Sequence, residues 1–285
     1  MRALLKRLLP AFAALLLGLP LRAGAADSLG RYAALDSLLL RYCEAMLLRY
    51  CEAMLPLENA DKVRECDFLI ESCNDSSTRQ HVALAIFDHY RDSKLMGEEE
   101  VAIRIYDKWF ATKRIPMRSE FDALDADMFA RFNRNSLIGM DAPVLRLHKP
   151  CGGHAEIPAK GKTTLLFFYE PGCSKCRAEV KLLPQALSSV DFPLELAAIY
   201  TGTERKAWRR FRREIRVDNP LVKVRHFWDP DIDSGYQLAY GIIGTPRLFV
   251  VEPGGTIIGR RLEMDSLVQL LPVAKALHEL YIREL

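Results

Sequence analysis

The sequence TLLFFYEPGCSKCRAEV, residues 164–180, is the strongest indication of the fold of the second half of the chain. The run Thr163–Tyr169 is rich in β-branched, aliphatic and aromatic side chains, which predicts a central strand that is buried on both faces. A helix is predicted from Ser174 to about Leu187. Two cysteines therefore lie where a buried strand gives way to a helix.

These cysteines, Cys173 and Cys176, have the spacing of a redox pair. The first lies at the predicted helix start and the second in its first turn, close enough for an unstrained disulfide bond. Unpaired N–H groups and the helix dipole stabilise a thiolate there, and Lys175 adds a positive charge. Cys173 is then the exposed nucleophile and Cys176 resolves the mixed disulfide. Gly172 and Ser174 complete the immediate surroundings.

The same C-x-x-C spacing also occurs in zinc sites. Further candidate ligands are present at His148, Cys151 and His154, with two residues between neighbours. A static structural disulfide is a third interpretation. The strand-to-helix position accounts for the pair without a metal, so we predict a redox pair with neither a metal nor another cofactor.

Strands and helices alternate through the rest of this half, which predicts an α/β fold with mixed strand directions. Two short strands come first, at Val144–His148 and Ala155–Ile157. The elements predicted after the helix that begins at Ser174 are strand Leu194–Tyr200, helix Glu204–Arg216, strand Val222–Trp228, a helical turn at Ser234–Tyr240, strands Leu248–Val251 and Thr256–Arg260, and helix Asp265–Leu285.

Three segments together resemble the TlpA/ResA-like branch of the thioredoxin superfamily. They are the stretch quoted above, YGIIGTPRLFVVEPGGTIIGR at residues 240–260, and the opening IGMDAPVLRL at residues 138–147. The resemblance covers about residues 137–285. It implies a thioredoxin-like fold with a four- or five-stranded core sheet flanked by helices. It also implies a disulfide-active pair that needs no bound cofactor.

The resemblance assigns roles to three more residues. It implies that Pro246 follows a cis peptide bond beside the cysteine pair and that the Thr245 backbone binds an extended substrate chain; the alternative is an ordinary proline at a strand entry. Glu179 lies one helical turn past Cys176, where the family often carries a glutamate, and would relay protons. The alternative for Glu179 is an exposed helix residue.

The sequence also departs from the family pattern. Phe167 stands where thioredoxins bury an acid in the central strand, which makes Glu179 more important. Gly172 replaces the usual aromatic residue before the first cysteine. Lys181 stands where a helix proline is expected, and Pro184 comes later. The changes at Gly172 and at the helix proline alter the surface around the nucleophile, and therefore partner choice more than chemistry.

The first half of the chain shows helical periodicity and no convincing strand. We predict an all-α domain over residues 26–136, followed by the thioredoxin-like domain over residues 137–285. Ser76 or Ser77 is expected to cap the third helix, and Ser119 with Asp122 nearly matches a capping box. The predicted helices are Leu35–Leu55, Ala60–Cys73, one from Ser76 or Ser77, one after Gly97, and one from Ser119.

Four cysteines fall in this helical half. The octapeptide LLRYCEAM at residues 39–46 recurs at residues 47–54, which duplicates Cys43 as Cys51. An eight-residue offset rotates a helix by about 80°, so both copies cannot face the core identically. Cys66 and Cys73 are too far apart along one helix to bond to each other. A disulfide to a neighbouring helix and buried thiols both remain open.

Residues 1–25 have the layout of a signal peptide. Basic residues precede an apolar run from Leu8 to Leu21, and Ala23-Gly24-Ala25 follow, which predicts cleavage after Ala25. The run is interrupted by prolines and is shorter than the roughly 20 residues of a membrane-spanning helix. No cysteine near the cleavage point offers a lipid attachment site. We therefore expect a soluble periplasmic protein.

The charge balance argues against a nucleic-acid partner. The signal peptide contains four of the 40 basic residues and no acidic residue, so cleavage leaves 36 basic and 37 acidic residues. The predicted helix Glu204–Arg216 nevertheless concentrates basic residues around an apolar strip of Trp208, Phe211 and Ile215. We interpret it as the solvated face of a core-packed helix, with docking to an acidic partner or a lipid surface as the alternative.

These observations together predict an exported thiol–disulfide oxidoreductase. Its partners would be protein thiols and disulfides and an upstream redox protein. The competing hypothesis is a non-catalytic binding module whose cysteines form a zinc site or a structural disulfide. The Ser-Lys dipeptide between the cysteines does not fix the reduction potential, so reduction, oxidation and isomerisation all remain open.

Overall fold

The computed structural model describes residues 42–284. They group into two compact units, one ending at Asp127 and one beginning at Met128. The predicted signal peptide and the start of the first predicted helix lie outside these residues, and the domain boundary at residue 136 stays a prediction. Among the described helices, none has the length and the low charge that crossing a membrane requires.

Every regular element of the first unit, within the described residues, is helical. Residues 42–53 form helix α1. The next elements are α2 (Asn59–Glu71), α3 (Ser76–Arg91), α4 (Glu99–Ile105), a π-helical turn (Tyr106–Phe110), and α5 (Glu120–Asn133), whose last residues belong to the second unit.

The predicted cap of α3 is wrong and that of α5 is confirmed. Asp75 caps α3, because its carboxylate accepts a hydrogen bond from the Thr78 N–H at 2.8 Å. Ser76 and Ser77 therefore lie in the first turn. Ser119 Oγ accepts from the Asp122 N–H at 3.1 Å. A carboxylate is the better acceptor for orphan N–H groups, which explains the one-residue shift at α3.

The duplicated cysteines occupy different environments. Cys51 is buried, whereas Cys43 is half-buried. Cys66 and Cys73 are also buried, and Cys73 lies just past the end of α2. All four are free thiols, and burial raises the pKa of Cys51 to about 12. The eight-residue offset thus places one copy in the core.

The second unit is built on a sheet with seven strands among the described residues, in the order β2-β1-β5-β4-β3-β6-β7. The three central strands β5, β4 and β3 run parallel, and β6 and β7 are antiparallel additions to them. The strands are β1 (Leu145–His148), β2 (His154–Ile157), β3 (Thr163–Tyr169), β4 (Leu194–Tyr200), β5 (Val222–Trp228), β6 (Arg247–Val251) and β7 (Ile257–Arg260).

Helices follow the strands on both faces of this sheet. They are α6 (Ser174–Ala186), α7 (Arg205–Phe211), α8 (Tyr236–Tyr240) and α9 (Met264–Glu284). Alternate residues of β3 point into two separate cores, as the two-residue period of a strand requires. Leu165 and Phe167 pack with α6, α7 and α9, whereas Leu166 and Phe168 pack with α8. Both faces of the central strand are thus covered.

The five strands β5-β4-β3-β6-β7 form the core sheet that the resemblance implied, and the β1–β2 hairpin widens it by pairing with β5 at His148↔Trp228. One expectation for this unit needs correction. Helix α7 ends at Phe211 rather than Arg216, because the next N–H groups bond three residues back, as in the Glu214 N–H to Phe211 carbonyl bond at 2.9 Å. Such bonds tighten the chain into turns.

Two glycines that flank α8 provide a matched test of this packing. Gly235 and Gly241 both have left-handed backbones, with φ of 68° and 64°. A Cβ at Gly235 meets nothing within 4 Å, whereas one at Gly241 collides with the Phe132 carbonyl oxygen. We expect Gly235→Ala to cost about 1 kcal/mol and Gly241→Ala about 3 kcal/mol of unfolding free energy.

Urea unfolding followed by tryptophan fluorescence checks this pair. The Gly235→Ala variant measures the conformational cost alone, and the difference between the variants measures the collision. Equal shifts of the two unfolding midpoints would show that the backbone contact at Gly241 is absent.

Candidate active site

Cys173 is the N-cap of helix α6. It follows β3 by four residues, and its extended backbone, with φ of −78° and ψ of 120°, brings the chain into the helix. The Cys176 N–H donates to Cys173 Sγ at 3.2 Å. A sulfur atom thus occupies the position in which a serine or aspartate oxygen usually accepts a bond from the first helical turn. The strand-to-helix placement predicted for this residue is confirmed.

This environment favours the ionised form of Cys173. The largest single effect, partial burial, raises the pKa of this thiol. Hydrogen bonds from the Cys176 thiol and N–H and from Thr245 together outweigh that effect, so the pKa of Cys173 lies below its ordinary value of 9.0. The positive end of the α6 dipole acts in the same direction. Cys173 is half-buried and is therefore accessible as well as activated.

Cys176 differs from Cys173 in both accessibility and pKa. Its side chain is fully buried, and this burial, reinforced by the interaction with Cys173, raises the pKa of Cys176 to about 12. Both residues are free thiols in this structure. The two sulfurs are therefore chemically unequal, because the pKa of the partly exposed Cys173 is lowered and the pKa of the buried Cys176 is raised.

The Thr245–Pro246 segment lies against the nucleophile. In the thiol form, Cys173 Sγ donates to the Thr245 carbonyl oxygen at 3.3 Å. The peptide bond before Pro246 is cis, as the resemblance implied. Strand β6 starts at the next residue and pairs with β3 through Phe168↔Arg247. The sheet thus brings together two segments that are 72 residues apart in sequence.

Glu179 is buried rather than exposed. Only 7% of the residue is accessible, and its Oε2 atom has no hydrogen-bond partner. The interpretation of Glu179 as an exposed helix residue is therefore wrong. Burial raises the pKa of this carboxyl, and the charges of Glu263 and Asp265 raise it further against the opposing effect of Lys175.

The charge of Lys175 is shared with a residue that sequence reasoning missed. Lys175 Nζ lies 3.2 Å from Glu263 Oε1, and both side chains are exposed. No sequence pattern links these residues, because they are 88 positions apart. The Lys175 contribution to the thiolate is thus weaker than its proximity in sequence suggests.

Two further features shape the surface around the nucleophile. Ile243 is 69% exposed although it is a large apolar residue, and it lies two residues before Thr245. Gly172 is exposed, and a Cβ there would lie 4.0 Å from Glu170 Oε1, an ordinary contact. Steric crowding therefore does not require glycine at this position, and its effect is to leave the approach to Cys173 open.

The candidate zinc ligands occupy the β1–β2 hairpin. His148 and His154 are cross-strand neighbours with their Nε2 atoms 3.2 Å apart, and Cys151 is exposed in the turn between them. Within residues 42–284, no group of three or more histidine, cysteine, aspartate or glutamate side chains is arranged to hold a metal ion.

The comparisons with known proteins support the fold. A solved thioredoxin-like protein from Bacteroides caccae superimposes with a TM-score of 0.64 at 16% identity, over 82% of this chain and 84% of that chain. At this identity the likeness shows the fold alone, and the fold is thioredoxin-like, as predicted. No family model and no curated protein sequence matches the chain.

Partial matches cover about half of the chain. The thioredoxin domain of a Bacteroides vulgatus thiol-disulfide oxidoreductase is 24% identical over 49% of this chain and 97% of that chain, with a TM-score of 0.42. A thiol:disulfide interchange protein from a Bacteroides species is 22% identical over 49% and 90%, with a TM-score of 0.41.

The lowered pKa of Cys173 predicts how its alkylation depends on pH. Because the thiolate is the reacting form, the alkylation rate of Cys173 should rise with pH along a titration curve whose midpoint lies below pH 9.0, the midpoint of an ordinary cysteine. Iodoacetamide labelling followed by peptide mass spectrometry measures this residue separately from the others. Cys176→Ala should raise the midpoint, whereas Cys176→Ser, which keeps a donor, should raise it less. An unshifted midpoint in the wild type would contradict the assignment.

Proposed function

We propose that this thioredoxin-fold protein is a thiol–disulfide oxidoreductase that exchanges disulfides with partner proteins through Cys173 and Cys176. The observation that carries this proposal is the inequality of the two sulfurs. One is an accessible helix cap with a lowered pKa, and the other is buried three residues later with its N–H bonded to the first. This is the arrangement that a nucleophile and a resolving thiol require.

The reaction follows from this inequality. The Cys173 thiolate attacks one sulfur of a substrate disulfide, which forms a mixed disulfide and releases one substrate thiolate. Cys176 then loses its proton and attacks Cys173 Sγ, which releases the second substrate thiolate and closes the Cys173–Cys176 disulfide. The substrate gains two electrons, and an upstream redox partner returns two electrons to the pair. In the reverse direction, the same steps oxidise two thiols of the substrate protein to a disulfide. The reduction potential of the Cys173–Cys176 pair relative to that of the substrate determines the direction.

Glu179 is the group that we assign to the proton of Cys176. It lies one helical turn farther along α6, on the side of the helix that packs into the core. Its unpartnered Oε2 is free to accept a proton, and its raised pKa reduces the difference in proton affinity between the carboxyl and the thiol. Without such an acceptor, a thiol with a pKa of about 12 would seldom ionise near neutral pH.

The Thr245–Pro246 segment is the part of the site that we assign to substrate binding. Its carbonyl oxygen is within 3.3 Å of Cys173 Sγ, so a peptide chain that aligns with this segment places its own sulfur next to the nucleophile. The exposed Ile243 offers apolar contact to the same chain. The predicted signal peptide supports action in the periplasm, where protein thiols are oxidised.

Replacement of the nucleophile tests the proposal directly. Cys173→Ser should reduce insulin reduction with dithiothreitol to the uncatalysed rate, because serine at this position forms no mixed disulfide. Cys151→Ser is the matched control, since it removes an exposed thiol outside the site and should leave the rate unchanged. Equal activity of wild type and Cys173→Ser would exclude catalysis at this pair and favour the binding-module hypothesis.

Glu179→Gln should slow the resolving step, because the amide cannot accept the Cys176 proton. We expect a loss of about tenfold or more near neutral pH that shrinks as the pH rises and Cys176 ionises directly. The measurement is the rate at which a preformed mixed disulfide at Cys173 is released. Asp218→Asn, which removes an exposed carboxylate outside the site, should have no effect. A loss that is constant with pH would indicate a purely structural role.

A further inference from the structure

Six exposed cations are concentrated in and just after helix α7, in what we call the basic segment, residues 205–216. Residues 205–211 of this segment form helix α7, and residues 212–216 form the turns that follow it. The six cations are Arg205, Lys206, Arg209, Arg210, Arg213 and Arg216.

These cations form no direct ion pairs with the carboxylates of the described residues. Within residues 42–284, none of the six lies within 4.0 Å of an aspartate or glutamate oxygen. Other cations of the same unit are paired, for example Lys175 with Glu263 and Arg225 with Glu195. The segment still carries excess positive charge, because Glu214 is its one acidic residue against these six cations.

Repulsion between these like charges destabilises helix α7. Arg205 and Arg209 are separated by four residues, as are Lys206 and Arg210, so both pairs repel along the face of α7. The segment is held in place instead by Trp208, Phe211 and Ile215, which are buried in the sheet core. The six cations are exposed and lie outside that cluster, so they are available to an external partner, although Arg216 Nε also donates to the Arg213 carbonyl at 2.7 Å.

Helix α7 packs against the end of the sheet from which the nucleophile emerges. The ring centroids of Phe211 and Tyr169 are 5.4 Å apart, and those of Trp208 and Trp228 are 5.0 Å apart. Tyr169 and Trp228 are the last residues of the parallel strands β3 and β5. Cys173 follows Tyr169 by four residues, so the helix that carries Arg205, Lys206, Arg209 and Arg210 packs against the same end of the sheet as the nucleophile.

We propose that the basic segment is a docking surface for an acidic protein whose disulfide reacts at Cys173. The proposal rests on the proposed function and adds the chemical class of the partner. Positive charge next to a reacting thiol raises the association rate of negatively charged substrates and is screened by salt. A lipid surface fits less well, because Trp208, Phe211 and Ile215 are buried and leave no apolar side chain of the strip to insert.

The test compares two charge variants of equal net charge. The test variant is Arg209→Gln/Arg210→Gln/Arg213→Gln. The control variant is Lys160→Gln/Lys223→Gln/Arg283→Gln; these exposed cations lie ahead of β3, at the start of β5 and near the end of α9, away from the carboxyl edge. The probes are two disulfide-linked peptides that differ only in glutamate or glutamine flanks, plus the neutral 2-hydroxyethyl disulfide.

We expect the reduced wild-type protein to react about tenfold or more faster with the acidic peptide than with the neutral one at about 20 mM salt, and by a much smaller factor at about 500 mM salt. The test variant should lose most of this preference and the control variant should keep it. All three proteins should reduce 2-hydroxyethyl disulfide equally.

Each contrary result has a separate meaning. Equal rates of the wild type with both peptides, or equal behaviour of the two variants, would overturn the docking surface. Salt-sensitive binding to phosphatidylglycerol vesicles without any peptide preference would also overturn it and point to a membrane. Failure of all three proteins to reduce 2-hydroxyethyl disulfide would instead refute the proposed function.

Discussion

The hydrogen bond from the Cys176 N–H to Cys173 Sγ underlies both the geometry and the proposed chemistry of the site. It is a helix cap in which sulfur replaces oxygen, and it exists because a strand buried on both faces delivers the chain to the first turn of α6. The cap needs an acceptor, and a thiolate is a better acceptor than a thiol. Local backbone geometry and sulfur reactivity are thus two consequences of one contact.

Burial then makes the two sulfurs different. The same turn that exposes Cys173 directs Cys176 and Glu179 into the core, where ionisation of either side chain is disfavoured. The Cys176 thiol is unreactive until its proton is accepted. It therefore attacks only after the mixed disulfide at Cys173 has formed, which sets the order of the proposed steps. The Thr245–Pro246 segment closes the other side of the site through the antiparallel pairing of β3 with β6.

Sequence reasoning predicted best where local pattern and burial agree. The bounds of β3, β4 and β5 were predictable to the residue, because each is a compact run bounded by polar or turn-forming segments. Helix α7 was predicted too long, since its periodicity continues past the point where hydrogen bonding tightens into turns. The extra width of the sheet and the Lys175–Glu263 pair depend on contacts between distant segments, which no local pattern encodes. Burial of Glu179 was similarly hidden, because a single helical carboxylate gives no sequence signal of its surroundings.

The most direct test is a redox titration of the purified protein against glutathione, with disulfide mapping by mass spectrometry and metal analysis of the same sample. We expect a reversible Cys173–Cys176 disulfide with a potential in the range of about −120 to −270 mV. A pair that stays oxidised at potentials below about −300 mV would be a structural disulfide, and stoichiometric zinc on these thiols would make the site a metal centre. Either result would contradict the account.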